Sequence, residues 1–540
     1  VLNAEQQAVV DAVKTSKTIV VSACAGAGKT RVLGLSYKQM VESGVADPTQ
    51  AVIVTYTQAA AAELAHRIRI HELPDPGFVG TLHGLMLRYL RMNGPSIGFH
   101  KGVSVVDERT ANGFLREAMK RVVWKGTFEH AKRAVSRQSD RFNERTLFAE
   151  FHGKLAAQGL VTFDGILHWA EQALIQNQGK VPFSVLMVDE YQDVSRSDHD
   201  LYMRMVVERR LVVGDIRQAI FGFRGGDPNC MLELMAMPSF SHFKLTTNYR
   251  SARQIVEFAN KLSPHLPDKE LMRSFDPMWL GSFCEVFNAE NMERHLETIL
   301  EAIDEFRGNT AIICRFNWQI AAISEDLRKH DIAHRVHGKA KKPEDWDAAC
   351  ALVGFLANPE SEVMAYAFAS SVSQAKADEL KRKANEECVS LCRLVWDDEH
   401  PDISEIEATL DSLNTSPQTK VLVMAIHDRL PEIDRSWVSL AAAMADPEAL
   451  SQSSGDERVP LLCTIHAAKG REFDHVILPY WCDEMFPGFK KDDSEEWRLA
   501  YVAITRARKS VVILSCAEGR DFSGQTTTMT PSRFIKAITQ

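Results

Sequence analysis

The feature that most constrains this chain is an apolar strand that breaks into a glycine-rich turn and then a helix. Thr18–Ser22 is β-branched and apolar, and it is followed by Ala23-Cys24-Ala25-Gly26-Ala27-Gly28-Lys29-Thr30. A strand, a loop of this kind and a helix N-terminus together form a cradle of backbone N–H groups suited to phosphate. Gly26 and Gly28 permit the tight curl, Lys29 reaches the β- and γ-phosphates, and the Thr30 hydroxyl is placed to ligate Mg²⁺. The usual first glycine of such a loop is Ala23 here.

A second strand supports the first. Val185–Val188 is fully apolar and ends in Asp189-Glu190. In an open α/β sheet, ligands sit beyond the carboxyl ends of the strands. Asp189 would therefore hold the metal through water, and Glu190 would orient and deprotonate an attacking water. Either motif alone could arise by accident, as a surface pair or a chance loop. Their occurrence together points to a nucleoside triphosphatase.

Further apolar runs occur at Ala51–Thr55, Leu211–Val213, Ala311–Cys314, His475–Leu478 and Ser510–Leu514, separated by helix-like stretches. Continuous apolar strands between helices indicate parallel sheets covered on both faces. They fall into two groups, 18–250 and 311–535, so the chain reads as two α/β cores. Each core is interrupted by a mostly helical insertion, at about 85–180 and 346–455, and Gln452–Gly455 reads as a hinge.

The chain has 540 residues, 45% hydrophobic and 25% charged, which suits a soluble multidomain protein of roughly three or four folding units. No apolar run approaches the ~20 residues of a membrane span, so no membrane partner is expected. The first residues lack the basic and apolar regions of a signal peptide. Ten scattered cysteines without metal-ligand spacing read as reduced thiols, hence an intracellular, cytoplasmic protein. The net charge is -9, but it is segregated: residues 111–145 carry nine Lys/Arg against four acids, and 397–411 carry seven acids and no Lys or Arg. Taken singly, each run reads as a solvated helix face.

Asp189-Glu190-Tyr191-Gln192-Asp193 resembles motif II of the UvrD/Rep/PcrA-like superfamily 1 DNA helicase family, and the family's other motifs follow in order. Leu2–Gln7 looks like the Q motif, Val54–Gln58 motif Ia, Thr81–Gly84 motif Ib, Val213–Gly225 motif III, and Asn248–Ser251 motif IV. Thr464–Phe473 is similar to motif V, Tyr501–Arg508 to motif VI, and Pro531–Phe534 to the C-terminal signature.

The resemblance implies a fold of two RecA-like parallel-sheet motor domains, each with a helical insertion. The first is expected over 1–84 and 181–275, interrupted by 85–180. The second is expected over 276–345 and 456–540, interrupted by 346–455. It implies ATP and Mg²⁺ as ligands, with Ala25, Gly26, Ala27, Gly28, Lys29 and Thr30 cradling phosphate and Thr30 and Asp189 at the metal. Gln6 would read the adenine edge, Arg31 and Tyr249 would sandwich the base, and Glu472 would bind the ribose. Gln218 would contact the γ-phosphate, while Arg250 and Arg506 would act as arginine fingers beside the catalytic Lys29, Asp189 and Glu190.

It also implies that single-stranded DNA crosses both cores, stacking on Tyr56, Phe221 and Phe223, with a core position an alternative for Phe221. Thr81, His83, Arg224, Arg315, Thr464 and His466 are expected along the strand.

The resemblance is incomplete. Cys24 and Ala27 stand where the family has Gly and Ser/Thr, Gln58-Ala59 where Asn-Lys is common, and Ala467 and Arg471 where Ser and Leu are usual. In the segment resembling the strand-separating pin, Ser523 occupies the usual aromatic position, one residue after Phe522. Either Phe522 is the wedge or the isolated protein unwinds weakly.

The leading expectation is an ATP-dependent translocase and 3′→5′ DNA helicase acting on single strands and single/double-strand junctions, monomeric in isolation, with DNA repair among its settings. The alternative is a DNA-stimulated, end-sensing motor subunit for a nuclease or repair-protein partner. A non-hydrolysing DNA scaffold is disfavoured by the intact Lys29, Asp189, Glu190, Gln218, Arg250 and Arg506.

Overall fold

The structure is a computed structural model. It describes residues 2–540 apart from 58–59, 62–63, 66, 69–72, 137–140, 276–281, 307, 338–345, 358–364, 366–367, 370, 372–373, 388–390, 392–394, 396–400, 413–415, 429–436, 438–439, 441–443, 445–458, 489–492 and 521–525. The wedge expected at Phe522 and the departures at Gln58-Ala59 and Ser523 lie outside the described residues.

Two six-stranded parallel sheets carry the fold. The first contains β1 (Thr18–Ala23), β2 (Ala51–Thr55), β3 (Phe78–Thr81), β4 (Val185–Val188), β5 (Arg209–Gly214) and β6 (Ser241–Leu245), in the order β3-β2-β4-β5-β1-β6. The second contains β7 (Phe283–Ala289), β8 (Thr310–Cys314), β9 (Arg335–Val336), β10 (Leu461–Thr464), β11 (Phe473–Leu478) and β12 (Ala507–Cys516), in the order β7-β12-β11-β8-β10-β9. Every pairing is parallel. This is the two-core α/β class that the alternation of strands and helices implies.

Sheet order positions the chemistry. β5 lies between β1 and β4. The loop after β1, the acids after β4 and the Gly214–Gln218 turn after β5 therefore share one sheet edge.

One face of each sheet and the helices packed on it join in a single buried apolar cluster, which runs from Ile19, Val21 and Val213 to Ile313, Val476 and Ile513. Separate clusters cover the outer face of each sheet. The chain changes cores through 246–261: the helix Arg253–Lys261 packs on β7 and β12, upstream of the division expected at 275/276.

The stretch expected as the first insertion holds the helices Glu108–Arg121, Phe128–Ser136 and Phe142–Ala157, with a short pair Ser104–Val105 and Leu160–Val161, whereas the helix Gly165–Gln176 packs into the cluster on the first sheet. The insertion's buried residues, such as Leu115, Leu147 and Leu160, join Leu352, Phe355 and Leu410 of the second insertion in one apolar cluster. Within the basic run, Arg121, Lys132 and Arg141 pair with Glu150, Glu108 and Glu144, as on a solvated helical face. Among the described residues, no helix is long and apolar enough to cross a membrane.

Three histidines are held neutral by the core. Burial lowers His83, His152 and His295 from 6.5 to about 4 each. Their folded values lie below the unfolded value, so the stability tied to their neutral form is complete above about pH 6.5 and is lost as pH falls towards 4. Thermal melts across pH should therefore show a steady midpoint above about pH 7 and a marked fall between about 6.5 and 4. A midpoint that is flat to pH 4.5 would contradict this.

Candidate active site

The phosphate loop begins where β1 ends. Gly26 (φ 67°) and Gly28 (φ 76°) are left-handed, and Gly28 caps the helix Lys29–Glu42. A side chain is strained at such φ values, which accounts for glycine at both positions. Ala25 N–H donates to the Tyr501 hydroxyl at 3.4 Å, and Asn248 Nδ2 donates to Ala25 O at 2.8 Å. Cys24 lies beneath the loop at 1% exposure, where burial pushes its thiol up to about 12, so it is a neutral packing group.

Lys29 Nζ stands 3.8 Å from Glu190 Oε1, and the Thr30 hydroxyl donates to Asp189 Oδ2 at 3.4 Å. Asp189 N–H is anchored on Val54 O of β2 at 2.9 Å. Glu190 itself takes a left-handed backbone (φ 53°) and accepts from Gln192 Nε2 at 2.5 Å. Burial and the neighbouring Glu190 charge raise the Asp189 carboxyl. Burial alone would raise Glu190 too, but Lys29, Lys469 and Arg506 outweigh it and hold that carboxyl below its ordinary value. The two neighbouring carboxyls are thus pushed in opposite directions, Asp189 up and Glu190 down.

The cleft is closed from the other core. Arg506, just before β12, is 1% exposed and donates to Gln218 Oε1 at 2.9 Å. Gln218 Nε2 donates in turn to Asp215 Oδ2 at 2.7 Å. Burial, and then the Arg250 charge, lower Arg506 to about 9. Arg250, Arg506, Lys29 and Lys469 thus converge on one volume, an arrangement that favours a polyanion.

Arg250 is engaged across the cleft: its Nε donates to Glu472 Oε1 at 2.7 Å and its Nη1 to Thr505 O at 3.2 Å. The expected finger and the expected ribose acceptor therefore hold each other in this structure. Gln6 also has protein partners. It completes a capping box with Asn3, and its Nε2 donates to Ala27 O at 3.1 Å. Arg31 and Tyr249 line the same cavity, and the Tyr249 ring leans on Phe275 with centroids 4.6 Å apart.

One continuous cavity of about 1130 Å³ runs from Gly26–Arg31 to Tyr56, Phe221, Phe223, Thr464 and His466. At its far end Tyr56 and Phe221 are stacked at 5.3 Å and 11°. Phe221 is half-buried, whereas Phe223 is 62% exposed. His466 lies edge-on to Phe223 at 5.0 Å, and the Arg224 guanidinium is 5.4 Å from the Phe221 ring centre. Thr81 and Thr464 do the same local work on the two cores. Each ends a strand and caps the next helix, accepting from Gly84 N–H at 3.3 Å and Ala467 N–H at 3.2 Å.

Two expected strand contacts are committed elsewhere. His83 stacks on Phe163 at 4.2 Å. Arg315 makes a two-pronged ion pair with the buried Glu496 at 2.9 and 2.8 Å.

Sequence reasoning assigned no role to three residues that bind the parts together. Lys469 reaches across the cleft to both Asp193 oxygens, at 2.6 and 2.5 Å, and to Gln218 O at 2.5 Å. Gln192 links Glu190 to Asp215 N–H, which it accepts at 2.8 Å. Asn248 joins the phosphate loop to the Arg250 turn. All three sit inside motifs, which was the available signal, but their partners are distant in sequence.

A phosphate loop and an acidic pair on one parallel sheet, met by Arg506 from a second, define a two-core P-loop nucleoside triphosphatase. Within that class, residues 2–147 and 125–237 match the family model of the UvrD/REP helicase N-terminal domain, and residues 243–414 and 438–518 match that of the UvrD-like helicase C-terminal domain. The chain therefore belongs to the UvrD/REP helicase family. It is similar to an ATP-dependent DNA helicase PcrA of Staphylococcus aureus (strain Mu50), 23% identical over 634 residues that cover 99% of this chain and 86% of that protein. The PcrA of Staphylococcus epidermidis (strain ATCC 12228) is also 23% identical, over 635 residues with the same coverage.

Proposed function

We propose that the protein is an ATP-dependent single-stranded DNA translocase and DNA helicase that moves 3′→5′. The observation that carries this reading is the single cavity with cation-rich phosphate chemistry at one end and an aromatic, partly exposed groove at the other. Bases stack on such faces with little sequence preference. The polarity and the preference for tailed junctions rest on the family.

In this reading the loop N–H groups and Lys29 hold the β- and γ-phosphates, and the Glu190 carboxylate takes the proton of the attacking water. Arg250 and Arg506 balance the charge that spreads over the γ-phosphoryl oxygens. Thr30 Oγ1 and Asp189 Oδ2 converge to 3.4 Å as an all-oxygen pair, which fits Mg²⁺. A bound Mg²⁺ would neutralise phosphate charge there. Arg31 and Tyr249 would sandwich the base, and Glu472 would take the ribose once it releases Arg250. Gln218 couples the two ends of the cavity: its side chain binds Arg506, and its own turn leads three residues on to Phe221.

A second reading keeps the ATPase and drops productive unwinding, making the chain an end-sensing motor subunit for a nuclease or repair partner. It is favoured by Ser523 at the usual aromatic position of the pin-like segment and by the short second insertion expected at 346–455.

The test is ATP hydrolysis with and without single-stranded DNA, run beside unwinding of 3′-tailed and 5′-tailed duplexes. Stimulated hydrolysis with unwinding of the 3′-tailed duplex is expected. Absence of stimulation would sink the motor reading, and stimulation without strand separation would favour the subunit. Phe223→Ala should weaken single-strand binding by about 1–3 kcal/mol at an unchanged melting temperature. Unaltered affinity in a titration would remove Phe223 from the DNA path.

A further inference from the structure

Asn248 is 1% exposed, and its side-chain amide is spent on backbone. Its Nδ2 donates to Ala25 O in the phosphate loop at 2.8 Å. Its Oδ1 accepts from Arg250 N–H at 2.9 Å and from Ser251 N–H at 2.8 Å. The next peptide adds a second tie to the loop, because Tyr249 N–H donates to Gly26 O at 2.9 Å. There is no slack between the two segments. A Cβ built on Gly26 would lie 2.7 Å from Arg250 Cβ and 3.0 Å from the Asn248 amide.

The same segment is docked on the second core. The Ser251 hydroxyl donates to Ala507 O at 2.7 Å, and Ala252 N–H donates to Arg508 O at 2.8 Å. Asn248 therefore sits where the chain leaves the first sheet, between the phosphate loop and the segment that carries Arg506. The position needs a donor and an acceptor on one short, planar group, which an amide provides. Asp would keep the acceptor but place an oxygen against the Ala25 carbonyl, and Ala would keep neither.

We propose that Asn248 is a positioning residue for hydrolysis: it fixes the register of the Arg250 turn against the phosphate loop, so that the guanidinium is aimed at the γ-phosphate when the second core closes. The proposal rests on the ATPase reading above. Asn248 acts through Arg250, and misplacement by about 1 Å can cost a rate up to about 100-fold. Tyr249 keeps its own bond to Gly26 O, so base binding is left largely in place.

The test compares Asn248→Asp, Asn248→Ala, Arg250→Ala and the Asn248→Ala/Arg250→Ala double variant. The readouts are kcat and KM for ATP in the presence of single-stranded DNA, melting temperature, and amide hydrogen exchange at Arg250 and Ser251. The Asn248 variants should lose between about 10- and 100-fold in kcat with KM for ATP changed by less than about 3-fold. The double variant should be no slower than Arg250→Ala, because residues acting as a unit are not additive. Exchange at Arg250 and Ser251 should quicken in Asn248→Ala and stay slow in Asn248→Asp.

A folded Asn248→Asp with wild-type kcat would overturn the proposal. So would losses that multiply in the double variant, or exchange unmoved by Asn248→Ala. A purely structural role would lower the melting temperature and slow the Arg250→Ala background as well. A wild type without ATP hydrolysis would sink the ATPase reading instead, and exchange at Arg250 and Ser251 would still decide whether Asn248 sets the turn.

Discussion

Glu190→Gln is expected to lower kcat for ATP hydrolysis by about 10²–10⁴-fold, the range general base catalysis supplies, while ATP binding is largely retained. The substitution changes few contacts. The amide oxygen can still accept from Gln192 Nε2, now at 2.5 Å, and the left-handed backbone at this position suits Gln no worse than Glu. What disappears is the charged oxygen that Lys29, Lys469 and Arg506 keep ionised despite burial. Phosphate release with saturating single-stranded DNA reads the first effect, and titration with a fluorescent ATP analogue reads the second. Turnover within about tenfold of wild type would remove Glu190 as the base.

Arg506→Lys should be nearly as severe, with kcat falling by about 10³-fold or more, the range found for arginine fingers. One guanidinium here binds Val502 O at 3.0 Å, Arg471 O at 3.4 Å and Gln218 Oε1 at 2.9 Å while facing the cavity. A lysine ammonium is a point donor and cannot span that fork. Charge is conserved, so KM for ATP should move much less than kcat, and the melting temperature should stay close to wild type. A variant with normal kcat would show that Arg506 serves packing alone.

The strands that could be read from the sequence share one property. Thr18–Ser22, Ala51–Thr55, Val185–Val188, Leu211–Val213, Ala311–Cys314, His475–Leu478 and Ser510–Leu514 all became interior strands. All four edge strands, β3, β6, β7 and β9, escaped notice, as did the four-residue interior strand β10. An interior parallel strand is covered on both faces and reads as a continuous apolar run. An edge strand has water nearby, and Ser241–Leu245 and Phe283–Ala289 mix half-buried and exposed positions, with the last residue of each buried. Their pattern is too short and too mixed to stand out from loop.

By itself the sequence determined the parts whose chemistry is local. Phosphate cradling needs glycines and a lysine within a few residues, and an acidic pair must follow an apolar strand, so both are written contiguously. The tertiary structure decided which of these parts touch. Arg506 meets Gln218, Lys469 meets Asp193, and Arg250 holds Glu472, each across more than 200 residues of chain. Sequence spacing carries no information about such pairs, because they form only when the two separately wound cores pack together.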